Sequence, residues 1–385
     1  MSSIKRVFGL DIVRSLAIIL VLCAHSLDHF IIPNSTGGIG WLASQVTYPI
    51  GFFGVEMFFV LSGFLIGGII IRDVVEKGTF NSLFNFFLRR WFRTLPLYYL
   101  VVLFLILFPT LEEFSWTNLF FIQNFDSRDL LFNPISWSLS VEEWFYLTIP
   151  LIMLVLLNFN NKKNKETIFF FVCFFVIALS YVLRVVTVEL NSNVEFDFGI
   201  RKQIFLRLDS IMFGVVLAGI KYYYTKSYDR LVSYPKILFA FTISGLLFCG
   251  SCMVFNIFGV LDESFIMRTL FFDFVSLFCV LLISFADTIK NTNNYGLGKK
   301  INWLSRTSYA VYLLHFQFFV IVKNIVRPNN LYKGVIACSC AVVLTFIISY
   351  VVHRYYEIPL MNLRDKFKPK PVYKKKKDIG RNKGA

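Results

Sequence analysis

Apolar runs of close to twenty residues recur along the whole of this chain, and they limit its fold more than any other feature. About twenty apolar residues in helical form span the hydrocarbon of a bilayer. Ten such stretches can be read, at 8–32, 50–71, 94–110, 137–157, 167–188, 203–222, 236–257, 268–288, 304–324 and 334–356. A lipid-exposed backbone must satisfy its own hydrogen bonds, and period-two alternation is absent, so the spans are helices. The sequence thus predicts an all-α, polytopic integral membrane protein with about ten transmembrane helices. Of its 385 residues 56% are hydrophobic, a share that excludes an ordinary soluble domain.

The net charge of +15 does not point to nucleic acid, because the basic residues lie between apolar runs and in the tail. That pattern reports topology. An even number of spans puts both ends on one side. With the termini in the cytoplasm, the inner side receives Lys5 and Arg6, the stretch from Arg72 to Arg93, Lys162, Lys163 and Lys165, the stretch from Lys221 to Lys236, and that from Lys290 to Arg306. The outer loops keep only Arg128, Arg201, Lys202, Arg327 and Lys333, beside the acidic Glu112, Glu113, Asp126, Asp129, Asp262 and Glu263. The expectation is a multi-pass protein of the cell membrane with cytoplasmic termini. Residues 1–365 form one transmembrane domain, and 366–385 a disordered basic tail held to anionic lipid headgroups. The seven cysteines all lie in apolar runs, so Cys249 and Cys252 read as packing residues and not as a redox pair. No cleavable signal peptide is expected, since the first run is too long and lacks a small-residue cleavage site.

Ionisable groups inside a bilayer cost about 2.5–3.5 kcal/mol each on insertion scales, so each requires a reason. The first span carries Arg14 and His25 with ten residues between them. Eleven helical steps turn through about 1100° and rise about 16 Å, so both side chains share a face, Arg14 towards the cytoplasm and His25 in the outer half. Glu56 in the second span and Glu142 and Glu143 in the fourth fall near the depth of His25. Arg90 and Arg93 join Arg14 at the inner side. Basic groups within and acid/base groups further out suggest a passage with an anion-binding end and a reacting end. Imidazole is the side chain that titrates near neutrality, so His25 is the candidate general base, with Glu143 or Glu142 fixing its tautomer. Adjacent glutamates point about 100° apart, so one faces the site, and Glu143, which shares a helix face with Ser136 and Ser140, is favoured. Arg207 and Asp209 are read either as sugar contacts or as an ion pair securing the sixth span, and His315 as a further lining residue. His25 and His29 have the spacing of two metal ligands, but Ser26 replaces the glutamate of zinc proteases and no third ligand is evident, so no metal is expected.

The segments LDIVRSLAIILVLCAH, GVEMFFVLSGFLI, RRWFRTLPLYY, WSLSVEEWFYL, RLDSIMFGVVLA, SYAVYLLHF and YYEIPLMNL run in order from Leu10 to Leu363. Together they resemble the acyltransferase-3 family of integral membrane acyltransferases, which modify sugars of bacterial surface polysaccharides among other acceptors. The resemblance implies transfer of an acyl group, usually acetyl, from cytoplasmic acetyl-CoA or another acyl-CoA to a hydroxyl of a cell-surface or lipid-linked glycan. By motif match, His25 is then the catalytic histidine, and Arg14 with Arg90 and Arg93 the basic element on the donor side. Many relatives have Gln after the glutamate pair, where this chain has Trp144. The chain looks like the standalone type, without a fused hydrolase-like domain. Two other readings suit intramembrane charges, a transporter or flippase and a non-catalytic subunit of a polysaccharide assembly complex. The former would show related halves and matching broken helices, and neither is found. A general base and a covalent acyl-histidine are both open, and oligomeric state is not legible.

Overall fold

The computed structural model describes residues 7–108, 114–125, 130–160, 164–290 and 296–364. Lys5, Arg6, Glu112, Glu113, Asp126, Arg128, Asp129, Lys162, Lys163 and the tail 366–385 lie outside the described residues. Among the described residues there is no strand, and ten helices carry the fold: α1 (Phe8–Ser26), α2 (Gly38–Ile70), α3 (Phe80–Leu107), α4 (Trp137–Phe159), α5 (Lys165–Leu190), α6 (Leu208–Tyr223), α7 (Pro235–Phe255), α8 (Phe271–Asp287), α9 (Leu297–Val326) and α10 (Leu331–Val352). The chain is a polytopic helical membrane protein. Eight of these helices are long and apolar enough to cross a bilayer. The other two, α6 with 16 residues and α8 with 17, are shorter. At 1.5 Å per residue, α6 is about 24 Å long against a hydrocarbon thickness of about 30 Å. It persists because it is packed inside the bundle, where α2 and α5 cover it.

Two helices begin well before the expected spans. α2 starts at Gly38 and runs through Pro49, which reads in sequence as a boundary. Proline forfeits one backbone hydrogen bond, and in a membrane bundle neighbouring helices tolerate that loss. α3 starts at Phe80, because the apolar residues of 80–93, broken by Asn81, Ser82 and Asn85 and then by Arg89, Arg90 and Arg93, keep helical spacing. Its mean hydropathy is too low for a span while its periodicity is still that of a helix. The Thr79 hydroxyl caps this start by accepting from the Ser82 N–H at 3.3 Å.

α2 is the central helix, packed on α1, α6 and α8. Its approach to α6 depends on two glycines. A Cβ on Gly63 would stand 1.9 Å from the Ile211 carbonyl oxygen, and one on Gly214 would stand 2.0 Å from that of Val60. Small residues that let backbones touch are the usual device of membrane helix pairs. The same helix group is pinned by buried charge. Arg184 of α5 holds Asp209 of α6 and, at 2.6 Å, Asp273 of α8. Arg207, just before α6, holds Glu56 of α2 at 2.6 Å and the Ser210 hydroxyl at 2.7 Å. All five charged side chains but Asp273 are fully buried.

Candidate functional site

One cavity of about 590 Å³ opens among α1, α2, α3, α4, α6 and α9. Its cations are Arg14 of α1, Arg72 after α2, Arg90 and Arg93 of α3, and Lys221 of α6. They differ in how far they are already engaged. Lys221 is bound to Asp287 at 2.5 Å. Arg14 lies 3.8 Å from Asp11 and donates to the Ser305 hydroxyl at 3.3 Å, and Ser305 in turn donates to Asp11 at 2.7 Å. Arg90 lies over the Tyr146 ring at 5.9 Å, with its Nε buried and unpartnered. Arg72 and Arg93 are exposed and make no hydrogen bond or ion pair among the described residues. A group of guanidiniums with open donor faces suits a phosphate-bearing ligand, because arginine offers forked, charge-assisted bonds to such oxygens.

Deeper in the cavity the cations give way to a hydrogen-bonded chain. The Tyr146 hydroxyl donates to Glu142 Oε2 at 2.9 Å and stands 2.8 Å from the Ser62 hydroxyl. Val55, Phe58, Ser138 and Tyr312 also line the cavity, one to two helical turns nearer His25 along α2, α4 and α9. Glu142 therefore lines the cavity, whereas Glu143, the expected member of the pair, is turned away into the protein with Oε1 unpartnered. The two project about 100° apart on α4, and of the pair Glu142 is the one among the cavity-lining residues.

His25 does not line this cavity. Its ring stands 5.2 Å from His315, 6.2 Å from His29 and 5.6 Å from Phe316, centroid to centroid. Tyr312, which lines the cavity, adjoins that group: its ring is 5.9 Å from His315, and its hydroxyl is 2.6 Å from that of Ser138 while donating to the Ile135 carbonyl at 3.1 Å. Among the described residues neither Glu142 nor Glu143 hydrogen-bonds His25, so the expected carboxylate–imidazole contact is not formed. His315, expected as a lining residue, is fully buried beside His25 instead. Among the described residues, no three His, Cys, Asp or Glu side chains converge as metal ligands would.

Glu56, Arg207 and Asp209 are likewise away from the cavity. Each is completely buried and ion-paired, Arg207 with Glu56 and Asp209 with Arg184, while Glu56 Oε2 and the Nε and Nη1 of Arg207 have no hydrogen-bond partner among the described residues. Arg201, above this layer, packs its guanidinium 4.8 Å over Trp137 and pairs with Asp197 at 2.8 Å. Burial alone would raise the Asp197 carboxyl, but the charges of Arg201 and Lys202 outweigh it and hold it at about 2. Arg201 is thus paired with a carboxylate, although its Nε is buried without a hydrogen-bond partner among the described residues.

A family described as an acyltransferase domain matches residues 7–354. The chain belongs to that family. Among relatives in it, the chain is 25% identical to the peptidoglycan O-acetyltransferase OatA of Listeria monocytogenes over 92% of its own length. It is 24% identical to the O-acetyltransferase OatA of Staphylococcus aureus strain NCTC 8325 over 91%. The chain covers 56% and 57% of those two proteins, little more than half of each. No solved structure matches significantly.

Within this acyltransferase family the chain's departure at Trp144 has a local explanation. The indole N–H donates to the Phe121 carbonyl at 2.9 Å, and the ring packs on Phe125 and Phe205 at 6.0 Å each. It braces the loop before α4 and does not line the cavity. Sequence reasoning missed Arg72, Tyr146, Ser62 and Tyr312 in the cavity. Tyr146 had a signal, since it lies four residues after Glu142 on the same helix face. It also missed Arg184, although an arginine within an apolar span meets the same criterion that singled out Arg14.

Proposed function

We propose that this protein is a membrane-embedded O-acyltransferase moving an acyl group, acetyl in the first instance, from cytoplasmic acyl-CoA to a hydroxyl of a cell-surface or lipid-linked glycan. Peptidoglycan is the first acceptor to test, in keeping with the relatives. The observation that carries the reading is the cavity, which has open guanidiniums at one end and, in its wall, Tyr312, whose ring packs on His315 beside His25. Its volume of about 590 Å³ lies within the range of about 300–1,000 Å³ common for small-molecule sites. The basic end takes the phosphates of the donor, with Arg72, Arg90 and Arg93 as their partners and Arg14 fixed beside them. The termini and the basic loops face the cytoplasm, so the donor enters from that side.

In the reaction His25 takes the proton of the acceptor hydroxyl as its oxygen bonds to the thioester carbonyl carbon. The tetrahedral intermediate collapses with cleavage of the C–S bond, and the thiolate takes the proton from the imidazolium to leave as free CoA. His25 ends neutral. The donor arm reaches His25 from the cavity past the Tyr312 ring, which lines the cavity and packs on His315. Glu142 acts at the cavity wall through Tyr146, ordering the wall beside the donor arm.

The test is purified protein in proteoliposomes with radiolabelled acetyl-CoA and muropeptide acceptors. The expected result is label in the glycan with one free CoA released per acetyl transferred. Movement of acceptor or donor across the bilayer without CoA release favours a transporter, and neither release nor movement favours a non-catalytic subunit.

A further inference from the structure

His315 is an anomaly in the packed interior. Its Nδ1–H donates to the Tyr312 carbonyl at 2.6 Å and lies 3.2 Å from that of Val311. A neutral imidazole with Nδ1 protonated carries its lone pair on Nε2. That Nε2 is buried and has no partner, in a side chain with no exposed surface. Buried polar atoms are nearly always hydrogen-bonded, so an orphan acceptor calls for an explanation. The ring beside it is His25, at 5.2 Å between centroids. Two imidazoles joined edge to edge by an N–H···N bond of about 2.9 Å have centroids about 5.3 Å apart. Nε2 makes no such bond in this conformation, but the spacing is that of a bonded pair, so a turn of the His25 ring in place brings one of its nitrogens to Nε2.

We propose that His315 is the positioning residue for His25, filling by its Nε2 lone pair the place a carboxylate holds in an ordinary catalytic triad. This inference rests on the reading of His25 as the base and names what orients it. The ring nitrogen of His25 that faces His315 carries the proton and donates it to Nε2. The opposite nitrogen is left with the lone pair that takes the acceptor proton. When it does so, the resulting imidazolium shares its other proton with His315 Nε2, and loss of one proton to the departing thiolate restores both rings to their starting state. The helix backbone supports the arrangement, because Nδ1 of His315 faces two α9 carbonyl oxygens, and reversing its tautomer would set a nitrogen lone pair against theirs. His29 does not compete for the role. Its Nδ1–H donates to the His25 carbonyl at 3.0 Å, and its ring centroid is a full ångström further from His25. The remaining ionisable groups that act on His25, Arg201 and Lys202, are cations and cannot accept a proton.

The test is nitrogen NMR of full-length protein labelled with 15N-histidine in micelles, the His25 signals being assigned by their loss in His25→Gln. Wild-type protein is expected to show His25 as a single tautomer and the His315 Nε2 resonance at the position of a hydrogen-bonded acceptor. His315→Leu should return His25 to a mixture of tautomers, and His315→Gln, whose amide oxygen still accepts, should keep it single. An unbonded His315 Nε2 resonance in wild-type protein, identified by its loss in His315→Leu, overturns the proposal, as does an unchanged His25 signal in His315→Leu. In the transfer assay His315→Leu is expected to lower kcat about a hundredfold with KM for acetyl-CoA unchanged, and His315→Gln to recover at least tenfold of it. A rise in KM with kcat preserved would instead mark a packing role. Full activity of His25→Ala would sink the reading of His25 while leaving the NMR result to stand or fall by itself.

Discussion

The two charged regions of this bundle differ in one respect. Around α5, α6 and α8, two buried guanidiniums face carboxylates, Arg184 with Asp209 and Asp273 and Arg207 with Glu56. Around the cavity, Arg72 and Arg93 have no such partner among the described residues, and Arg90 is held by an aromatic ring. Both regions satisfy the rule that intramembrane charge needs a reason, but the reasons differ. The paired set ties four helices together through internal ion pairs. On the proposed function, the open set is left to take an anion that comes from outside the chain. Depth in the membrane marks both alike, and only the state of pairing separates ligand binding from framework.

Substitutions should divide along that line. The largest effect is expected from Arg184→Leu, which strands Asp209 and Asp273 together in the interior. Removal of one partner from a buried ion pair costs about 3–5 kcal/mol. The expected outcome is loss of folded protein, read by thermal unfolding in detergent and by yield, with no specific change in donor affinity of whatever folds. Next is Arg93→Ala, expected to leave the unfolding temperature unchanged and raise the Kd for acyl-CoA about tenfold. That is the scale of one charge-assisted hydrogen bond of about 1.5–3 kcal/mol, reduced by its exposure. Equal destabilisation by the two substitutions would erase the distinction. Tyr146→Phe removes one hydroxyl from the Glu142 chain and should lower turnover only a few-fold, about 1 kcal/mol. Smallest is Lys77→Ala. Its contact with Asp73 at 2.7 Å is half exposed and at the surface, where such pairs contribute about 0–1 kcal/mol.

Much of the framework was legible because hydropathy reports depth. Arg14 and His25 share a helix, so periodicity alone places them on one face. Azimuth between helices is another matter. Nothing in the local sequence says that α4 turns Glu142 and not Glu143 to the cavity, or that α9 lays His315 beside His25. Those follow from how α4 and α9 pack, which hydropathy does not encode. The same limit explains Glu56. Its depth suggested company with His25, while Arg207, 151 positions away in the chain, takes its carboxylate. The lengths of α2 and α3 escaped for a simpler reason, since Pro49 and the basic residues before Arg93 mask helix that continues past the apolar core.

The central claim is that donor binding and chemistry are separate in space, the first at the open guanidiniums and the second at His25. The most direct test is His25→Ala in proteoliposomes, with acyl-CoA binding and glycan acylation measured on the same sample. The account predicts an unchanged Kd for acyl-CoA and acylation reduced to background. Acylation at the wild-type rate in that variant would contradict it.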